Sequence, residues 1–344
     1  MRRSTRIRYL LAWILLATAG VTLPALAAGD VQIAGAGGTA IYPVLANWAA
    51  EYHELTGIAV NYQPIGSGGG IQQIEQGTVA FANTDMPLTP AALRAHDLIQ
   101  FPALIIGITP VVNLPGLRPG ELVLDGALLA GIYLGKIRYW DNPAIAVLNP
   151  GLHLPHQAIV TVHRSDGSGT TFNFTNYLSR VSPAWRAQVG ADTAVAWPNG
   201  VGGKGNAGVA SFVQQIRGSI GYVEYAFTQE AALTWVRLRN RAGQSVAPNL
   251  ATFAAAARGA DFAGAQDFNL TLNDELGADA WPITATTYML MRRDYDSASN
   301  RRVLDFCRWF FAHGQERARQ LNYVPVPAAV VKLIENYWRR ELRA

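Results

Sequence analysis

The chain has 344 residues, 50% of them hydrophobic and 15% charged, with 33 glycines and a single cysteine. That composition excludes a disordered or fibrous chain and any intramolecular disulfide, and the length predicts two lobes rather than one ordinary domain. The formal net charge is +4, but four of the 28 basic side chains and none of the 24 acidic ones precede Ala28, so the remainder is formally neutral and makes no electrostatic case for nucleic-acid binding.

The N-terminus reads as an export signal over residues 1–27. Arg2, Arg3, Arg6 and Arg8 form a basic start, an apolar run spans Tyr9 to Leu23, and Ala25-Leu26-Ala27 fits a cleavage site. Gly20 and Pro24 punctuate the run and argue against a retained anchor. No cysteine follows the run, so no lipid anchor is expected there. The spacing then predicts a strand at Val31–Gly38 and a helix over YPVLANWAAEYHELT, with Pro43 in its first turn and Gly57 just past its end. IAVNYQPI reads as a second strand, GSGGGIQQIEQG as a glycine loop and short helix, VAFANTD as a third strand and TPAALRAH as a third helix. Close alternation of strand and helix predicts an α/β sheet covered on both faces.

Two long β-rich runs, Phe101–Gly116 and Ala280–Arg293, are candidates for a crossing between lobes and a return. Between them DGALLAGIYLG reads as a helix, AIVTVHRS as a strand and GSIGYVEYAF as strand-like. The tail from Asn300 reads as helical, with breaks at Gly314 and at Val324-Pro325-Val326-Pro327. Cys307 falls in the apolar helical stretch VLDFCRWFF, which predicts a buried structural thiol. The expected domain division is 1–27 leader, 28–108 with 285–344 as one lobe, and 109–284 as the other.

Three glycine-rich turns each lead into a helix: Gly35–Thr39, Gly66–Gly70 and Asp166–Thr170. A helix start leaves N–H groups unpaired and carries positive dipole, and glycine lets a ligand come close to the backbone. Serine and threonine hydroxyls and the nearby Arg164 add donors, so the set suits an oxyanion. Asp85, in FANTDMPLT, reads either as a helix cap or as an acceptor in that site. An ionised carboxylate only accepts hydrogen bonds. It would repel a fully ionised oxyanion but accept a bond from one that still carries a proton, which favours phosphate over sulfate.

Rival motifs fail on detail. Gly35-x-Gly37-x-x-Ala40 fits a dinucleotide fingerprint, but the second strand ends NYQPIGS, without the acid a ribose needs. VGGKGN resembles a Walker loop, but Gly205 stands where Ser or Thr would hold magnesium. Ile65 and Asp166 occupy the places where a nucleophile elbow needs glycine. His153, His156 and His163, around the LHLPHQ loop, read as solvated loop histidines rather than metal ligands. The expectation is therefore no metal and no cofactor.

The segments GAGGTAIYPVLANWAAEY, NYQPIGSGGGIQQI, FANTDMPLT, ELVLDGALLAGIYLGKIRYWDNPAIAVLNPGLHLP, VHRSDGSGTTFNFTNYL, VGGKGNAGVASFVQQIRGSIGYVEYA and AWPITATTYMLM resemble the periplasmic phosphate-binding proteins of high-affinity phosphate ABC importers (the PstS family). The likeness covers nearly all of the chain after the leader. It implies an α/β, two-lobed periplasmic-binding-protein fold (type II), each lobe a mixed sheet flanked by helices, joined by two crossing strands. It also implies that phosphate lies in the cleft on Thr39, Ala40, Ser67, Asp85, Arg164, Ser168, Gly169 and Thr170, with Asp166 pairing with the arginine. The family usually has phenylalanine at Ala40 and commonly a second serine at Gly68; Ile41 or Tyr42 could supply the missing ring or bulk.

Two functions remain open: a monomeric, non-enzymatic receptor that hands phosphate to membrane permease subunits, or a secreted phosphatase or binder of another tetrahedral oxyanion on the same scaffold. Hydrolysis needs a nucleophile with a base, or metals. No histidine lies in any of the three turns.

Overall fold

The computed structural model describes residues 32–293 and 297–342; the expected leader lies outside the described residues. The predicted alternation forms as β1 (Gln32–Gly37), α1 (Tyr42–Thr56), β2 (Ala59–Gln63), α2 (Ser67–Glu75), β3 (Phe81–Thr84) and α3 (Pro90–Ala95). The long strand β4 (Leu98–Val112) follows, then β5 (Val123–Leu124), α4 (Gly126–Tyr133), α5 (Pro143–Leu148), β6 (Val160–Arg164), α6 (Gly169–Val181) and α7 (Pro183–Gln188). Next come β7 (Val201–Gly203), α8 (Gly205–Gln215), β8 (Ser219–Glu224), α9 (Tyr225–Glu230), β9 (Thr234–Trp235), β10 (Arg237–Arg239), β11 (Ser245–Val246), α10 (Leu250–Ala257) and β12 (Leu272–Asn273). The chain ends with β13 (Ile283–Arg292), α11 (Ser297–Ala312), α12 (Gln315–Gln320), β14 (Val324–Pro325) and α13 (Ala328–Glu341).

The main sheet has strand order β2-β1-β3-β13-β4-β8-β6-β7. Its outer strands are parallel, β1 with β2 and β3 on one side, β6 with β7 and β8 on the other. The junction is antiparallel. Leu98 to Gly107 of β4 pairs with β13, and Ile108 to Val112 pairs with β8. One continuous strand therefore belongs to both halves, as expected of a crossing run, and β13 lies beside it. Both read as near-continuous apolar runs because both faces are covered. Pro102 sits inside β4, where its missing N–H would cost a ladder bond. The register shift against Thr287/Tyr288 at that point accommodates it.

Helix α1 ends as predicted: Gly57 has φ 72° and its N–H closes the helix on His53 O. Trp48 of α1 stacks on Phe310 with ring centroids 4.5 Å apart and donates to Gly314 O at 2.8 Å, which ties the first helix to the tail helices. Cys307 is buried in that cluster, and burial pushes its thiol pKa up. Two expectations shift. The strand-like GSIGYVEYAF ends its strand at Glu224, whose side chain accepts from Ala226 N–H at 2.9 Å and caps α9. His163 lies on β6, half-buried with its ring 4.8 Å from Trp197, not in a solvated loop; His153 and His156 are exposed.

Candidate functional site

Parallel strands end in turns whose next element is a helix, and the crevice beyond their C-terminal ends is where open α/β sheets bind ligands. Here β1, β2 and β3 deliver Thr39, Ser67 and Asp85 from one half of the sheet, while β6 delivers Arg164 and Ser168–Thr170 from the other. The two sets meet. Gly68 N–H donates to Gly167 O at 3.0 Å. Asn206 Nδ2 donates to Thr39 Oγ1 at 2.9 Å, and Asn173 Nδ2 to Asp85 O at 2.6 Å. A Cβ at Gly169 would come within 2.6 Å of both Asp85 N and Ser67 Oγ, so only glycine permits this approach. Gly66, at φ 92°, is likewise pressed on Asp166 and Gly167 from across the crevice.

Four hydroxyls surround the junction, and each accepts a bond from the protein. Thr39 Oγ1 accepts from Asn206, Ser67 Oγ from Asp85 N at 3.4 Å, Ser168 Oγ from Thr171 N at 3.1 Å, and Thr170 Oγ1 from Arg164 at 3.4 Å. Among the described residues none of the four donates to a protein acceptor. Their protons are free for a ligand. Ser168 is the N-cap of α6, so Gly169 and Thr170 form its first turn, and Ser67 opens α2. The positive ends of two helices thus converge on the same point.

Arg164 is buried. Its Nε and NH2 grip Asp166 Oδ1 and Oδ2 at 2.8 and 2.5 Å, a two-point pair that orients the remaining edge of the guanidinium. Burial pushes the Asp166 carboxyl up, but the Arg164 hydrogen bonds and charge, with Gly205 N–H at 3.0 Å, outweigh it and hold the carboxyl below its ordinary value. Asp85 is the opposite case. Its Oδ1 is buried with no hydrogen-bond partner. Burial pushes its pKa up to about 6, against the lowering pull of the Thr287 hydroxyl and the Arg164 charge. Asp85 caps no helix; α3 is capped by Thr89, which accepts from Ala92 N–H at 3.2 Å.

Ala40 is buried, and its carbonyl accepts from Tyr323 at 2.7 Å. Ile41 packs in the core, whereas Tyr42 is 42% exposed and stacks on Tyr62, so neither takes over the place of a phenylalanine ring at residue 40 in the same way. A Cβ at Gly68 would stand 3.2 Å from Gly167 Cα, a tight but single contact. Reading from sequence missed Asn206, Asn173, Glu224 and Tyr323. The signal for Asn206 was present: GGKGN is a fourth glycine-rich turn from strand to helix, tested only as a magnesium loop. Among the described residues no group of three His, Cys, Asp or Glu could hold a metal ion, and no helix is long and apolar enough to cross a membrane.

Comparison with known proteins gives the class first. Residues 24–313 match the family model described as a PBP superfamily domain. Among curated relatives, "Phosphate-binding protein PstS" of Xylella fastidiosa is 53% identical over 315 residues, 91% of this chain and 86% of that protein. The protein of the same name from Haemophilus influenzae is 50% identical over 313 residues, 91% of this chain and 94% of that one. The chain belongs to the PstS family of phosphate-binding proteins. The fold agrees: a high affinity periplasmic phosphate-binding protein (PfluDING) solved with phosphate superposes with TM-score 0.71 at 20% identity, covering 89% of this chain and 93% of that one. A putative phosphate ABC transporter substrate-binding protein from Clostridium perfringens gives TM-score 0.63 at 16% identity, covering 86% of this chain and all of that one.

Proposed function

We propose that the chain is an extracytoplasmic receptor that binds one inorganic phosphate and delivers it to the membrane permease subunits of an ABC importer. The carrying observation is the mismatch inside the site: four hydroxyls with unspent protons and a clamped arginine face one buried carboxyl oxygen that has no donor. A dianion that keeps one proton satisfies both sides; sulfate satisfies only the donors. The contacts are Thr39, Ala40, Ser67, Asp85, Arg164, Ser168, Gly169 and Thr170, with Asp166 holding the arginine. Residues 28–108 and 285–344 act as one lobe and 109–284 as the other, moving about the β4 and β13 crossing. Residues 1–27 are removed on export to the periplasm, and the receptor works as a monomer without a cofactor. Binding without turnover is supported by the donors themselves: none of the four hydroxyls is bonded to a histidine that could activate it.

Titration calorimetry with phosphate, arsenate, sulfate and molybdate tests the reading. Phosphate binds one to one, arsenate binds because it shares phosphate's shape and protonation, and sulfate and molybdate bind far more weakly. Equal binding of sulfate, or release of phenol from a chromogenic phosphate ester, overturns it.

A further inference from the structure

Asn173 is a buried amide on α6, and both of its N–H groups go to main-chain oxygens of residues expected at the phosphate. Its Nδ2 donates to Asp85 O at 2.6 Å and to Gly169 O at 3.0 Å. The first bond runs from the β6 side of the crevice to the β3 side, and the second stays within α6. Asn173 Oδ1 accepts from Asn273 Nδ2 at 3.0 Å. Asn273, on β12, is buried as well, and its amide also donates to Asn176 Oδ1 at 3.2 Å. Asn176 Oδ1 in turn accepts from Arg180 Nε at 3.2 Å, which fixes it as the oxygen. The acceptors at the ends set the direction of the whole chain. A backbone carbonyl can only accept. Turning the Asn173 amide over would set its oxygen against two carbonyl oxygens, and turning Asn273 over would set its oxygen against two amide oxygens. Donors therefore point one way, from β12 through α6 to Asp85. That polarity leaves Asn273 Oδ1 buried with no hydrogen-bond partner among the described residues. A buried acceptor without a donor is destabilising, so packing alone gives no reason for an asparagine at residue 273.

We propose that Asn173 is a positioning residue, oriented by Asn273, whose amide latches the Asp85 main chain to α6 in the closed crevice and so sets how long the crevice stays shut on its ligand. The latch rests on the receptor function and the two-lobe closure proposed above. In that division the bond from Asn173 to Asp85 is the one link of the relay that passes between lobes; the Asn273 and Gly169 links lie within 109–284. Opening breaks that one bond and leaves the amide aligned for the next closure. The latch holds the carbonyl of Asp85, not its carboxyl, so it lengthens capture without choosing the ligand. Choice stays with Asp85 Oδ1, which has no partner of its own.

Asn173→Ala is expected to weaken phosphate binding roughly fivefold to tenfold, the size of one net hydrogen bond. A chase of radiolabelled phosphate should place the loss in faster release, with association nearly unchanged. Arsenate should lose by the same factor, and sulfate should stay rejected. Asn273→Ala should lose part of that affinity alone and nothing further once residue 173 is alanine. Wild-type affinity in Asn173→Ala, a loss confined to association, a gain of sulfate binding, or additive losses in the double variant each overturn the proposal. If Asn173→Ala does not fold, Asn173→Asp carries the same test, because it keeps the volume and the acceptor for Asn273 and lacks only the donor. Nitrogen-edited NMR of the ligand-free protein tests the relay without phosphate: Asn273→Ala is expected to shift the Asn173 side-chain amide signals, and unmoved signals overturn it. A wild type that ignores phosphate yet shows that shift refutes the function and leaves the relay standing.

Discussion

Asp85 and Asp166 are two aspartates of one crevice, both mostly shielded from water, yet they carry opposite pKa shifts. On the β6 side, Asp166 is spent: both oxygens grip Arg164, and a backbone N–H completes its shell. On the β3 side, Asp85 keeps an oxygen without a partner. A buried charge is retained only when it is paired, and a buried carboxyl left unpaired drifts toward its neutral form. One side of the crevice is therefore already satisfied and supplies a rigid donor, while the other is held in want of a proton. That asymmetry is what would let the same site welcome a protonated oxyanion and refuse a bare one.

The comparison breaks most severely at Arg164. Arg164→Ala removes the charged donor and leaves the Asp166 carboxylate facing the anion, and truncating one partner of a buried hydrogen-bonded charge pair costs about 2–5 kcal/mol of binding. Phosphate affinity should fall by on the order of a hundredfold or more, by calorimetry, with the fold intact by circular dichroism. If Arg164 only staples the loop, the ligand-free melting temperature falls and affinity hardly moves. Gly169→Ala tests the contact between the two sides without touching charge. Its methyl would meet Asp85 N and Ser67 Oγ at 2.6 Å, and overpacking costs about 1–3 kcal/mol. If the lobes part without ligand, as proposed above, affinity should drop by roughly tenfold to a hundredfold while the ligand-free melting temperature stays near wild type, because the clash then arises only on closure. A lowered melting temperature with normal affinity would show that the contact is permanent packing.

Asp85→Asn sharpens the comparison from the other side. Sulfate, rejected by wild type, should bind the variant to within about tenfold of phosphate, since an amide can donate where a carboxylate only accepts. Stability moves the opposite way. The native carboxyl titrates at about 6 against an ordinary 3.8, so between those values the native state holds a proton that the unfolded chain has lost, and wild-type stability declines as pH rises through that window. At neutral pH the deficit is of order 3 kcal/mol at 1.36 kcal/mol per pH unit. The ligand-free variant should accordingly melt a few degrees above wild type at pH 7 and level with it below pH 4. Equal melting temperatures at both pH values would mean Asp85 is not held under strain.

The two aspartates also differ in how far the sequence announced them. Asp166 sits within three residues of its arginine and of the glycine turn, so its pairing was legible locally. The three turns were legible for the same reason: glycine, serine and threonine between a strand and a helix are short-range signals. The crossing strands were legible because a strand covered on both faces reads as one apolar run. Asp85 was ambiguous, since a helix cap and an oxyanion acceptor look alike until Thr89 is seen to cap α3. What stayed hidden were contacts made by ordinary residues across the sequence. Tyr323 reaches Ala40 from 283 positions away, and Asn173 reaches Asp85 from 88. Nothing in the composition near Asn173 or Glu224 distinguishes them from solvated neighbours, whereas Asn206 closes a fourth glycine-rich turn. The YAF after Glu224 was misleading because aromatic residues favour strands, but the Glu224 cap on Ala226 N–H turned the chain into a helix.

The smallest expected effect belongs to Asn206, and it decides whether the donor side extends beyond the predicted residues. Asn206 stands on α8 and gives two N–H groups to Thr39 Oγ1, at 3.3 Å from the backbone and 2.9 Å from the side chain. With its lone pairs so engaged, Thr39 is left with its own proton to offer, which makes Asn206 the reason Thr39 acts as a donor. Removing the amide should weaken phosphate binding by about fivefold, one net hydrogen bond, mainly through faster release. Asn206→Ala also leaves Glu224 N–H without the acceptor it has at 3.0 Å, so some loss of thermal stability is expected and does not by itself decide the matter. The deciding measurement is a double-mutant cycle with Thr39→Val. If Asn206 works through Thr39, the alanine change costs affinity in the wild-type background and almost nothing once the threonine hydroxyl is gone. Equal losses in both backgrounds would place Asn206 in the structural support of β8, and the donor side of the crevice would end at the three turns.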